Sequence, residues 1–173
     1  YSMADFTADG TNYLAVPSYS ACKFSIWNIS DSPPSLVGTP LACSGSNEFA
    51  GSNDIKIQGN YAYIAAQLGG TSGQGALTIV DITTPATPTV VSTTNTNTVL
   101  ANTNPLGLVI DDNIVYLGCN NNRGNEVFDV STPATPIALT AMHNDHREEG
   151  TNGLGYNGRQ LLSTSDATTA VQY

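Results

Sequence analysis

Val80-Asp81-Ile82-Thr83-Thr84-Pro85-Ala86-Thr87-Pro88 is written a second time as Phe128-Asp129-Val130-Ser131-Thr132-Pro133-Ala134-Thr135-Pro136. A looser copy stands at Trp27-Asn28-Ile29-Ser30-Asp31-Ser32-Pro33-Pro34. The copies are offset by 53 residues from Asn28 to Asp81 and by 48 from Asp81 to Asp129. Self-similarity at such a period is the signature of a repeat architecture.

A second signal runs in phase with the first. Turn dipeptides sit at Asp9-Gly10, Gly59-Asn60, Asp112-Asn113 and Asn157-Gly158, residues that tolerate the positive φ of tight hairpins. An apolar run follows each turn: Asn12 to Val16, Tyr61 to Ala65, Ile114 to Gly118, and Gln160 to Leu162. Other short runs precede the turns, as at Asp54 to Ile57 and Gly107 to Ile110. Each unit reads as strand, tight turn, strand, longer loop, strand, Pro-rich turn, strand. Four short strands per unit of about 40–50 residues is the arithmetic of a propeller blade. The expected fold is all-β, a β-propeller of four-stranded antiparallel blades, with about three and a half blades present. The expected organisation is one partial propeller over 1–173, with blades at 1–46, 47–98, 99–145 and an incomplete 146–173.

The repeated Asp has a mechanical reading. At the end of the third strand, Asp81 and Asp129 can accept backbone N–H groups of the turn that follows. Asn28 stands in the same place in the first unit, which suits hydrogen bonding better than acid–base work. Pro33, Pro85 and Pro133 then fix φ and stop the ladder. Tyr13, Tyr63 and Tyr116 share one phase of the second strand, and Trp27, Val80 and Phe128 one phase of the third. Aromatic and β-branched residues at repeating strand positions are expected to pack between neighbouring sheets; a stacking platform for a sugar is the sharper alternative.

With Leu77-Thr78-Ile79-Val80-Asp81 and the [IV]-[ST]-x-P turn after it, the chain resembles the LVIVD-repeat β-propellers. The resemblance covers the chain as repeats, closest in units two and three. It implies a secreted or surface-exposed propeller, often one module of a larger bacterial, archaeal or viral protein. It carries no catalytic motif, so it implies no catalytic residue.

The chain begins at Tyr1 and ends at Tyr173, where the third strand of unit four should be running. The expectation is a segment of a longer polypeptide, or a subunit whose open edges are closed by a neighbour. Hydrophobic residues make up 40%, enough for a packed core rather than a disordered chain. Only 11% is charged, and five Lys and Arg face 14 acids for a net charge of −9. Such a surface repels phosphate backbones and argues against nucleic acid as a partner. It is compatible with divalent cations and neutral glycans. The expected partners are a protein or glycan at a surface, or other domains or subunits of a larger assembly. No apolar run reaches the length of a membrane span.

A hairpin centred between Ser32 and Pro33, with strands Lys23 to Ser30 and Ser35 to Ala42, sets Cys22 opposite Cys43. A disulfide between them is expected, and with it an oxidising compartment: extracellular, cell surface or virion. Cys119 is left over at the end of a second strand and reads as a small buried hydrophobe.

The loops between strands two and three and the connections between blades should open on one face: 67–75, 119–125, 43–53, 92–104 and 142–152. Loops on a scaffold are where binding resides, so any site is expected there. His143, Asp145, His146 and Glu148 are the candidate metal ligands, with Glu48 or Asp54 as loose candidates for a third ligand from another blade. The alternative for this cluster is a solvated polar loop. A calcium site of loop carboxylates and Asn carbonyls stands beside it, although no Asp-x-Asp-x-Asp-Gly pattern occurs. No other cofactor is implied. Gly69 to Gly75 is Gly-rich but precedes no helix, and reads as a flexible loop. Gly-x-Ser-x-Gly and His-Glu-x-x-His are absent. Asn28-Ile29-Ser30 spells a glycosylation sequon that coincides with the repeat signature. The expected function is a non-enzymatic extracellular module for binding or adhesion. The alternatives are a structural subunit of a filament or assembly, and an enzyme whose pocket is completed by blades outside the chain.

Overall fold

A computed structural model of the 173-residue chain describes residues 2–71, 74–96, 104–120, 124–143 and 151–165. Every regular element among them is a β-strand. The first sheet is β1 (Ala4–Ala8), β2 (Thr11–Ser18), β3 (Lys23–Asn28) and β4 (Ser35–Ala42). The second is β5 (Ser52–Gln58), β6 (Tyr61–Ala66), β7 (Ala76–Asp81) and β8 (Thr89–Asn95). The third is β9 (Pro105–Asp111), β10 (Ile114–Cys119), β11 (Gly124–Asp129) and β12 (Ile137–His143). A two-stranded sheet, β13 (Thr151–Tyr156) with β14 (Leu161–Ser165), follows. Strand order within each sheet is the chain order, all antiparallel. The first strands β1, β5, β9 and β13 approach one another, so they are the inner strands and β4, β8 and β12 the outer ones. This is the blade pattern of a propeller, and the described sheets do not close a ring.

The tight turns form where Gly and Asp allow them. Asp9 and Gly10 both have positive φ (48° and 75°), as do Gly59 (55°), Asp112 (49°) and Gly158 (86°).

Alternation along each strand divides its side chains between two faces. One core lies between the first and second sheets: Ala15, Phe24 and Ile26 meet Ile55, Ala62, Ile64, Val80 and Ile82, with Phe49 beneath. Phe24 stacks on Phe49 with ring centroids 5.7 Å apart. The other lies between the second and third sheets: Tyr63, Ala65, Leu77 and Ile79 meet Leu108, Val115, Leu117 and Phe128. Cys119 belongs to this second core and is fully buried. The second sheet is thus covered on both faces.

Two expectations need correction. Trp27 shares the phase of Val80 and Phe128 but does not pack between sheets; it is 37% exposed whereas the other two are 0%. Val80 and Phe128 point back at the preceding sheet, whereas no sheet among the described residues packs on that face of the first. The register of the first outer hairpin also differs from the uniform one expected. Asn28 stands opposite Ser35 and Ile26 opposite Val37, whereas Phe24 faces Leu41 and Lys23 faces Ala42. A bulge in β4 inserts two residues between these stretches, and only beyond it does Cys22 come to face Cys43. Gly38 in that bulge has φ 65°, and a Cβ there would collide with the Ala86 carbonyl of the next sheet. The bulge is therefore a docking point between sheets.

Candidate functional site

The repeat signature belongs to the scaffold rather than to a site. Asp81 Oδ1 accepts the Thr83 N–H at 2.8 Å, and Asp129 Oδ1 accepts the Ser131 N–H at 2.8 Å. Asn28 Oδ1 accepts the Ser30 N–H at 2.9 Å. Hydrogen bonding from Ser131 holds the Asp129 carboxyl below the usual carboxylate range. Three equivalent Asx turns, one made by an amide, identify these side chains as turn-formers. Ser30 Oγ accepts the Asn12 N–H at 3.0 Å, so the whole sequon is engaged in the blade.

The prolines that follow sit at the junctions between sheets. Pro133 O in the third sheet accepts a hydrogen bond from Ser92 Oγ of β8 at 2.8 Å. The same turn of the second sheet, at Ala86, takes the close approach of Gly38 from β4. The Pro-rich turns of the second and third sheets therefore each receive the outer-strand bulge region of the preceding sheet. Pro33 sits in the first sheet's turn, which is exposed throughout.

On the opposite, long-loop face the connections are tied into a band. Gly51 N donates to Tyr19 O (3.1 Å), Gln67 N to Gly51 O (2.9 Å) and Leu68 N to Ala50 O (3.0 Å). Side chains repeat the path: Tyr19 OH donates to Gln67 Oε1 at 3.2 Å, and Asn53 Nδ2 reaches Gln67 Oε1 (3.2 Å), Gly51 O (3.1 Å) and Pro105 O (3.4 Å). One run of amides and a phenol thus spans three sheets. It continues through Thr96 N to Gly75 O (3.0 Å), Asn104 N to Gln74 O (3.3 Å) and Asn120 N to Asn104 O (3.1 Å). A groove of about 330 Å³, lined by Val16, Pro17, Ser18, Tyr19 and Ser20, opens beside the Tyr19 end.

The Gly-rich loop belongs to this band, and its described part is packed rather than loose. Gly69 and Gly70 are buried, Gly75 N donates to Gly69 O at 3.2 Å, and Asn95 clasps Thr71 through both its amide atoms (3.1 Å each). Gly70 has φ 79°, and a Cβ there would strike Asn95 Oδ1. No sequence motif marks this clasp, because its partners are 24 residues apart.

The Cys22–Cys43 disulfide closes the first sheet at the same face, with Cα atoms 5.5 Å apart. Beside it Cys43 Sγ accepts the Phe49 N–H at 3.2 Å. Glu48 is buried and accepts from Ser44 N (2.7 Å) and Ser44 Oγ. Burial alone would raise its pKa, but the Ser44 hydrogen bonds outweigh it and hold the carboxyl below its usual value. Its carbonyl accepts from the buried Thr78 Oγ1 at 2.7 Å. Asp54 accepts Leu108 N at 3.0 Å from the third sheet and pairs with Lys56 at 3.0 Å. Both carboxylates considered as third metal ligands are thus committed to the scaffold. His143 ends β12 opposite Gly124, and Asp145, His146 and Glu148 lie outside the described residues. Among the described residues no group of three His, Cys, Asp or Glu gathers.

A second cleft, about 350 Å³, lies among the inner strands toward the tight turns, lined by Lys56, Gln58, Val109, Leu154 and Tyr156 among others. Gln58 Nε2 donates to Asp112 O across two sheets. Tyr156 stacks on Tyr116 with centroids 6.2 Å apart, and its hydrogen bond to Asp111 raises its pKa. Tyr63 is raised too, first by burial. No helix among the described residues is long and apolar enough to cross a membrane, which leaves strand-built spans unaddressed.

Residues 51–96 match the LVIVD repeat, and these span the whole second sheet, β5 to β8. The chain is similar in structure to the computationally designed Ika4 protein, with TM-score 0.62 and 14% identity over 98% of this chain and 88% of that one. It is also similar to a putative 6-phosphogluconolactonase from Bacteroides fragilis, with TM-score 0.66 and 16% identity over 88% of this chain. There it spans 40% of the other chain's length. At such identities the likeness shows the fold alone. No curated protein matches the sequence.

Proposed function

We propose that the chain is a non-enzymatic propeller module of an extracellular, cell-surface or virion protein, and that its long-loop face binds a neutral glycan. The observation that carries this reading is the Tyr19–Gln67–Asn53 band beside the groove at Val16–Ser20. Amide and hydroxyl groups that both donate and accept, next to an aromatic ring, match the alternating hydroxyls and C–H faces of a sugar. The band is held from three sheets, so it costs little ordering on binding. The net charge of −9 disfavours anionic ligands. The Cys22–Cys43 bridge supports an oxidising compartment. Among the described residues, the groups with displaced pKa, namely Glu48, Asp129, Tyr63 and Tyr156, are spread over separate places, and a hydrogen bond or packing accounts for each. Catalytic groups would converge on one cleft.

The experiment is a panel of neutral and acidic oligosaccharides offered to the purified chain, followed by calorimetry on any that bind. Binding of a neutral glycan that weakens at least tenfold in Tyr19→Ala and Gln67→Ala, with unchanged melting, supports the reading. Binding to none of them, or binding indifferent to both substitutions, sinks it.

A further inference from the structure

The Tyr19–Gln67–Asn53 band spends half of its amide groups on itself and leaves the other half unspent. Gln67 Oε1 accepts from Tyr19 OH and from Asn53 Nδ2, both at 3.2 Å. Asn53 Nδ2 also reaches Gly51 O at 3.1 Å and Pro105 O at 3.4 Å. These partners fix which way each amide is turned. A flip would set Gln67 Nε2 against the Asn53 donor, or Asn53 Oδ1 against two carbonyls. What remains is one acceptor, Asn53 Oδ1, and one donor group, Gln67 Nε2. Neither carries a hydrogen bond among the described residues, and neither is a buried atom.

The next residue supplies an apolar surface at the same place. Leu68 is 45% exposed although its backbone is tied down, its N–H donating to Ala50 O at 3.0 Å. Gly51 lies against it: a Cβ there would stand 2.9 Å from Leu68 N and 3.1 Å from both Gln67 Cβ and Leu68 Cγ. Gly51 has φ 66°, and its N–H donates to Tyr19 O. The bare glycine thus lets the Gln67–Leu68 corner close onto the Tyr19 turn. An acceptor, a donor and a branched aliphatic side chain meet on connections that the band already holds.

We propose that this corner recognises the acetamido group of an N-acetylhexosamine, an inference that rests on the glycan reading above and names its substrate class. The acetamido N–H donates to Asn53 Oδ1, its carbonyl accepts from Gln67 Nε2, and its methyl lies on Leu68. The groove beside Tyr19 takes the sugar ring. A hydroxyl at the same carbon has no methyl and is too short to span both polar partners, so an unacetylated sugar leaves one of them unpaired. A peptide also carries amides, but it presents them in a row, as an added strand does, and the corner offers one donor–acceptor pair.

The test is calorimetry with tri-N-acetylchitotriose beside cellotriose, which share their linkages and differ at the acetamido carbon, and NMR titration with N-acetylgalactosamine beside galactose. In at least one pair the acetylated sugar is expected to bind about tenfold more tightly. Gln67→Glu keeps Oε1 for Tyr19 and Asn53 and turns the Nε2 donor into an acceptor, so it is expected to erase that preference. Leu68→Ala is expected to reduce the preference severalfold, with unchanged melting. Equal binding within both pairs, or a preference that survives Gln67→Glu, overturns the inference and leaves the glycan reading standing. A preference unchanged in Leu68→Ala overturns it too, which keeps the inference open to failure even where Gln67→Glu loosens the fold. Acetyl-trialanine-amide bound as tightly as the acetylated sugar overturns it in favour of a peptide. Binding to no sugar of either pair overturns it as well, whereas the glycan reading falls only with the wider panel.

Discussion

The second sheet and the first are built from the same repeat and end in different circumstances. The second is pressed on both faces, with Val80 against the first sheet and Ile79 against the third. The first is pressed on one, and Trp27 at the position of Val80 is more than a third exposed. A repeat therefore specifies which way a side chain points and leaves its burial to the neighbouring sheet. This is the energetic habit of repeat architectures, where stability is a sum of unit and nearest-neighbour terms.

The largest expected effect contrasts equivalent positions. Phe128→Ala should cost about 3–5 kcal/mol, because it opens a cavity between packed sheets. Trp27→Ala should cost about 1 kcal/mol or less in dilute, monomeric protein, as a surface change does. Urea melts of the two variants check this, and equal losses would break the comparison.

Next comes the covalent closure, which only the first sheet has. Cys22 and Cys43 are separated by 21 residues, and a loop of that size is worth about 3 kcal/mol in restricted unfolded-chain entropy. Cys22→Ser/Cys43→Ser should lower stability by about that amount, read in the same melts. The loss should be confined to the first sheet, so amide exchange should speed up in β3 and β4 before β10 and β11.

A smaller effect separates the bulge from the tight turns. Gly10 and Gly38 both have positive φ, but a Cβ at Gly10 meets open space while one at Gly38 meets Ala86 O. Gly10→Ala should cost about 1 kcal/mol from backbone strain alone. Gly38→Ala should cost about 1–2 kcal/mol more, in line with overpacking, because the junction itself must shift. Equal costs would mean that the bulge does not dock on the Pro-rich turn.

The smallest effect is in pH. The Asp129 carboxyl is held below its ordinary value by Ser131, and Glu48 by Ser44 against the opposing push of burial. A lowered folded pKa gives stability that is present above the unfolded carboxylate range and is lost as pH falls through the folded value. Asn28, which makes the same turn in the first sheet, does not titrate. Asp129→Asn should therefore keep most of the turn's stability and flatten the acid limb of a melting-temperature profile. A profile as steep as that of the unsubstituted chain would assign the acid sensitivity elsewhere.

The repeat period, strand count and turn positions were legible because each rests on local chemistry. Asp-Gly and Gly-Asn turns, period-two alternation and Pro after the signature Asp act within a few residues. The Cys22–Cys43 bridge was legible too, although the uniform register used to reach it was not the real one. The β4 bulge exists because Gly38 must pass close to Ala86, 48 residues away in another sheet, and no local signal announces that. The exposure of Trp27 is not legible for the same reason, since its surroundings depend on a neighbouring sheet rather than on its own strand. The band at the candidate site joins Tyr19, Gln67 and Asn53 from separate connections, and a polar residue in a loop carries no mark of its partner. Gly69 to Gly75 resembled slack chain because composition does not show that Asn95 reaches back to clasp it.

Trp27 is the single tryptophan of the chain, which makes one optical measurement decisive. Acrylamide quenching of its fluorescence should be run on the unsubstituted chain at high dilution. A solvent-accessible, readily quenched indole is what a first sheet with an open back face requires. A shielded indole in the dilute protein would contradict the account, since it would mean that Trp27 is buried within the chain as Val80 and Phe128 are.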